Sequence, residues 1–330
     1  MSNPFFRIII ILLFLNACKN NPPQERTVET PATPVPSFNR DSAYHFVAQQ
    51  VAFGPRVPGS EAHQNCKNWL VQKFESYGAT VIEQNFPAKT YYNKTLPATN
   101  IIAQFNPGAG KRLLLAAHWD SRHIADSPLS SERKTEPILG ADDGGSGTAV
   151  LLEIARQLQA NKIEMGVDLV LFDAEDLGQS GTEDPASATT WCLGSQHWAR
   201  NLHTPNYRPQ YGILLDMVGS KGAQFPIEQY SQQVAPQVVS EVWQLAENLG
   251  YGNLFPKTNG GSVTDDHYFV HTIAGIPMID IINRSTQTQT GFGAYWHTHN
   301  DNLEVIDRKT LKSVGQLMLA VIYRENAGTL

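Results

Sequence analysis

His118, Asp143, Asp176, Asp216 and His297 are residue types that bind metal or carry protons, and each stands just beyond a short apolar run or opens a Gly-rich turn. Residues 113–117 precede His118, 167–172 precede Asp173-Ala174-Glu175-Asp176, 213–215 precede Asp216, and 277–282 precede a loop that reaches His297. Between the first two runs lies Gly140-Ala141-Asp142-Asp143-Gly144-Gly145. Imidazole and carboxylate are the oxygen and nitrogen ligands of zinc. Three acids at the end of one buried strand repel each other unless a cation offsets them. Adjacent residues point in opposite directions, so Glu175 and Asp176 divide the work: Asp176 as ligand, Glu175 as general acid/base beside the ion. Asp143 lies nearer a helix start than Asp142 and is the better ligand, with Asp142 in reserve. Asp120, two residues after His118, can orient that imidazole through its second ring nitrogen. Asp265-Asp266-His267 precedes a predicted helix and serves equally well as a cap. Of His297 and His299 only one need ligate.

These side chains meet only if the apolar runs are neighbouring strands. A short apolar run bounded by polar residues is a strand buried on both faces, and open parallel sheets bind ligands beyond the carboxyl ends of such strands. Helices are predicted over 41–51, from the cap Ser60 to a stop at Gly78, and over 147–159, 195–201, 234–249 and 311–323. Earlier strands at 80–86 and 100–105 add antiparallel edges. The order is α/β alternation: one three-layer domain over 39–330, with a mixed, mostly parallel central sheet covered by helices on both faces.

The 330 residues carry 41% hydrophobic residues and a net charge of −6, with no basic cluster, which argues against nucleic acid as a partner. Residues 8–15 are apolar but too short to span a bilayer, and they end at Leu15-Asn16-Ala17-Cys18. That resembles a bacterial lipoprotein signal with Cys18 lipidated, so residues 1–18 are expected to be a leader and 19–38, rich in proline, a tether. The expected location is the bacterial cell envelope, with membrane contact through the lipid. Cys66 and Cys192 either pair or stay free.

Taken together, His118-x-Asp120, Gly140-Ala141-x-Asp143, Phe172-Asp173-x-Glu175-Asp176, Leu215-Asp216 and His297-Thr298 resemble the zinc aminopeptidase superfamily over about residues 40–325. Ala116-Ala117-His118-Trp119-Asp120-Ser121, Asp265-Asp266-His267, Gly275-Ile276-Pro277 and Trp296 resemble its animal-type glutaminyl-peptide cyclotransferase branch and bacterial relatives. The resemblance implies one Zn2+ held by Asp143, Asp176 and His297, with Asp176 where many relatives carry Glu. It implies Glu175 as proton shuttle backed by Asp216 and Asp266, and Trp296 as pocket wall, with Trp191 or Phe292 as a second aromatic. The implied reaction converts N-terminal glutamine of peptides and exported proteins to pyroglutamate, with release of ammonia. The rival is an aminopeptidase with two Zn2+ ions, the second held by His118 and Asp216 beside Asp143. A third reading is a binding module that has lost catalysis, which the complete residue set disfavours.

Overall fold

The apolar runs form the strands they predict, and their order in space brings the polar ends together. The computed structural model describes Met1 and residues 34–330; Cys18, the leader and most of the expected tether lie outside the described residues. Six strands, β1 (Thr80–Lys89), β2 (Thr95–Phe105), β3 (Arg112–His118), β4 (Gly166–Phe172), β5 (Gly212–Asp216) and β6 (Met278–Ile282), make one sheet in the order β1-β2-β4-β3-β5-β6. β3 to β6 are mutually parallel, with Leu115 opposite both Leu169 and Ile213, while β1 and β2 are antiparallel additions at one edge. His118, Phe172, Asp216 and Ile282 therefore end the parallel strands at the same rim.

Side chains alternate across the strands and feed two apolar layers. Leu113, Leu115 and Ala117 join one core with Leu151 of α3 (Gly145–Ala160) and Leu317 of α8 (Arg308–Ala327), which also holds residues of α1 (Arg40–Ala52) and α2 (Glu61–Ser76). Leu114 and Ala116 join the other core with Trp198 of α4 (Leu193–Arg200) and Val270 of α7 (Asp266–Ala274). Burial on both faces explains why these strands read as continuous apolar runs, each large side chain contributing about 1.5–3 kcal/mol. No helix among the described residues is long and apolar enough to cross a membrane.

Three expectations need adjustment. The helix predicted over 234–249 is two, α5 (Gln229–Val234) and α6 (Pro236–Asn248), broken at Ala235, whose φ is −144°. Pro236 causes the break, since the residue before a proline is pushed out of the helical region. β2 begins at Thr95, five residues before the predicted start at 100, because the hairpin with β1 pairs through Pro97. Phe38, expected in the tether, is buried in the core, and Gln316 of α8 accepts from Phe38 N–H and donates to Pro36 O, so packed chain begins before residue 39.

Candidate metal and catalytic site

Two of the turns at the sheet rim are held in an unusual backbone geometry. Ala174 follows β4 with φ 55°, Met217 follows β5 with φ 49°, and His297 itself has φ 53°. Left-handed conformations cost about 1–3 kcal/mol each in non-glycine residues and persist only where the surroundings fix them. Around Ala174 the surroundings do: Leu193 N–H donates to Ala174 O at 3.1 Å and Cys192 N–H to Glu175 O at 2.9 Å. Gly144, with φ 83°, opens α3 where a Cβ would collide with Asp120 O. That close approach lets Asp143 reach the rim.

The structure brings Asp143, Asp176 and His297 together: one ligand-type atom of each lies within 4.8 Å of the others. His297 Nε2 is 3.0 Å from Asp176 Oδ1 and 3.7 Å from Asp143 Oδ2. Asp143 Oδ2 and both Asp176 oxygens are buried without a hydrogen-bond partner. Unpaired buried carboxylate oxygens facing an imidazole nitrogen are costly unless a cation sits among them, so the residues fit a divalent metal. A second triad adjoins it, with His118 Nε2 3.0 Å from Asp143 Oδ1 and 3.2 Å from Asp216 Oδ1.

Glu175 faces the same space from beside the triad, with a side chain 13% exposed. Its Oε1 accepts from Cys192 Sγ at 3.3 Å, and its Oε2 lies 3.9 Å from His118 Nδ1. Burial raises the Glu175 pKa well above the ordinary carboxylate range, opposed by His118 and reinforced by the Asp176, Asp265 and Asp266 charges. Asp216 is likewise raised, to about 8, chiefly by burial. Burial alone would lower the His297 pKa, but Asp176 and a hydrogen bond to Asp126 carry it up to about 9 in the metal-free site.

Glu175, Asp176, Asp143, Asp216 and His297 line a cavity of about 220 Å³ together with Trp191, Phe292 and Trp296. All three aromatics anticipated from the sequence thus reach it. Trp296 stacks on His297 at 3.7 Å between ring centres and Phe292 sits 4.9 Å from Trp296. Gly178 leaves room for Trp191, since a Cβ there would overlap the indole.

Several side chains sit elsewhere than the sequence suggests. Asp265, the N-cap of α7, lines the cavity, while Asp266, the first residue of that helix, is fully buried and its charge acts on Glu175. Asp120 lies 3.5 Å from His118 Nδ1, too long for a good hydrogen bond. Its oxygens instead accept the amides of Glu175 and Asp176, at 3.1 Å each, which fixes the loop bearing both. Asp173 escapes the repulsion expected of three adjacent acids by turning to His63 Nε2, at 2.9 Å. Asp142 accepts from Gly219 N–H at 2.7 Å and from Tyr295 O–H rather than joining the triad. His299 Nε2 meets Arg133 O at 3.1 Å, and both Cys66 and Cys192 are free and buried. Sequence reasoning missed Asp301, which accepts the amides of Asp142 and Asp143 at 2.8 and 3.1 Å. It also missed Asp126, which accepts from His297 Nδ1 at 3.0 Å.

The description of Peptidase family M28 matches residues 100–322, which span the sheet from β2 to β6 and every residue of both triads. The chain belongs to peptidase family M28. Among solved M28-like structures, a glutaminyl cyclase from Tannerella forsythia is 50% identical, with a TM-score of 0.84 over 87% of this chain and 99% of that one. A Zn-dependent exopeptidase from Parabacteroides distasonis is 49% identical, with a TM-score of 0.84 over 88% and 99%. The glutaminyl-peptide cyclotransferase of Bos taurus is 26% identical over 304 residues, 80% of this chain and 76% of its own. An aminopeptidase of Bacillus subtilis, YwaD, is 30% identical over 249 residues, and the chain spans 47% of its length. The M28 membership, the zinc-dependent neighbour and the unpaired ligand atoms together point to zinc as the metal.

Proposed function

We propose that this M28 chain is a glutaminyl-peptide cyclotransferase that closes N-terminal glutamine into pyroglutamate and releases ammonia. The observation that carries the reading is a proton acceptor, Glu175, beside three converging ligand residues in a cavity of about 220 Å³ walled by Trp191, Phe292 and Trp296. Asp143, Asp176 and His297 would hold one zinc ion. When bound there, zinc polarises the side-chain carbonyl of the glutamine as a Lewis acid.

The chain's own residues do the rest. Trp296 and Trp191 fold the glutamine side chain back and keep bulk water from the amide. Glu175 takes a proton from the α-amine as its nitrogen attacks the side-chain carbonyl carbon, forming the ring C–N bond. It then returns that proton to the amide nitrogen as the old C–N bond breaks and ammonia leaves. Asp265 and Asp266 stand near Glu175 with carboxylates that favour its protonated form between the two transfers.

The rival is a two-metal aminopeptidase, and the second triad is the feature in its favour. His118 Nε2, however, makes a hydrogen bond with Asp216 Oδ1 at 3.2 Å, whereas Asp176 Oδ2 has neither a hydrogen bond nor a close imidazole nitrogen. The solved cyclase from Tannerella forsythia is also nearer in sequence, at 50%, than the Bacillus subtilis aminopeptidase at 30%. Incubating the purified protein with a Gln-initiated peptide while counting zinc per chain tests the reading. Ammonia, a shortened mass and one zinc are expected; free glutamine with two zinc ions would overturn it.

We further propose that Cys18 is lipidated and holds the enzyme in the bacterial cell envelope, where exported proteins with N-terminal glutamine are its substrates. The apolar run and Leu15-Asn16-Ala17-Cys18 support this. Cys18→Ala should move the protein from the membrane fraction to the soluble one, and unchanged fractionation would refute the anchor.

A further inference from the structure

His297 differs from the other ligand candidates in lying next to neither a strand end nor a helix start. It sits in a loop with φ 53°, so its ring direction has to be set by side chains. Four contacts set it, and they close on themselves. His297 Nδ1 bonds Asp126 Oδ1 at 3.0 Å, which leaves Nε2 facing Asp143 and Asp176. Asp126 is held in a fork by Arg122, with Nε to Oδ1 at 3.1 Å and Nη2 to Oδ2 at 2.6 Å. The Arg122 guanidinium lies 4.5 Å from the centre of the Trp191 ring. Trp191 in turn lies nearly parallel to His297, at 15° and 6.0 Å, farther from it than the Trp296 stack. Arg122 is fully buried and also donates from Nη1 to Asp176 O at 2.8 Å, so the same group steadies two of the three ligand residues.

We propose that His297, Asp126, Arg122 and Trp191 form a closed ring in which a wall of the substrate pocket helps hold a metal ligand in position. Asp126 and Trp191 are then positioning residues for zinc, and emptying the metal site loosens the pocket wall. A planar guanidinium is the group suited to this place, because it grips a carboxylate with two donors while its face stacks on an indole. Loss of a carboxylate that orients a ligating imidazole weakens metal binding by about 10–100-fold. The inference rests on the metal reading above, but not on which reaction the site performs.

The test is zinc affinity measured by competition with a chromophoric chelator, without substrate, alongside thermal unfolding of the metal-free proteins. Asp126→Asn should weaken zinc binding about 10–100-fold. Trp191→Leu should weaken it about three- to tenfold through lost stacking, whereas Trp191→Phe should keep most of the affinity. The double variant Asp126→Asn/Trp191→Leu should lose less than the product of the single losses, since one broken link already opens the ring. Arg122→Lys keeps the charge but removes the fork, and its weakened binding gives an independent reading if Trp191→Leu does not fold. Wild-type affinity in Trp191→Leu, or losses that multiply, would overturn the ring while leaving the metal centre intact. A wild-type protein that binds no zinc would overturn both.

Discussion

Replacing Glu175 by glutamine separates proton transfer from metal binding more cleanly than any other change at this site. The side chain keeps its volume, and the backbone anchors are untouched: Asp120 still accepts the Glu175 amide at 3.1 Å and Cys192 N–H still reaches Glu175 O at 2.9 Å. Asp176, whose amide is held by the other Asp120 oxygen, keeps its place. What disappears is the ability to take and return a proton, an effect of about 10²–10⁴-fold in kcat, or about 2.7–5.5 kcal/mol of barrier. KM should change little, because the aromatic walls are intact. Ammonia release from a Gln-peptide gives the rate, and atomic emission gives the zinc content. Because burial and neighbouring acids disfavour the Glu175 carboxylate, a neutral amide there should leave the metal-free protein at least as stable to heat. Zinc lost together with activity would mean that Glu175 ligates and Asp176 moves the proton; kcat within tenfold of wild type would remove Glu175 from the reaction.

Trp296→Ala should lower kcat/KM by about 10–100-fold through loss of an aromatic wall, with the melting temperature nearly unchanged because the indole is only half-buried. An unfolded variant would make Trp296 a core residue instead. Zinc binding should release protons at pH 7, since His297 titrates at about 9 in the metal-free site and must be neutral to ligate. The sign follows: His297 is protonated below its raised pKa, so affinity climbs with pH and flattens above about 9 on its account. Calorimetric titrations in buffers of different ionisation heat read the proton count, and identical heats would refute the protonated imidazole.

The sheet was legible because burial on both faces leaves a mark in sequence: unbroken apolar runs such as 167–172 have one reading when turn residues bound them. Asp143, Asp176 and Asp216 were legible because they follow such a run or open a helix, and His297 because a His in the loop after the last run completes the set. Asp126 and Arg122 were not, since they lie in an irregular loop between β3 and α3, where no periodicity marks which side chain turns inward. The break at Pro236 was readable, and an apolar pattern continuing across it concealed it.

The clasp of Asp301 on the amides of Asp142 and Asp143 joins the start of α3 to the segment just before α8. A ribosome delivers Asp143 and Asp176 well over a hundred residues before it delivers His297 and Asp301. Until that last stretch arrives, Asp176 lacks its imidazole partner and Asp143 the anchor for its turn. The triad of Asp143, Asp176 and His297 is therefore completed late in the life of each new molecule, and a chain cut short before His297 lacks its third member whatever metal surrounds it.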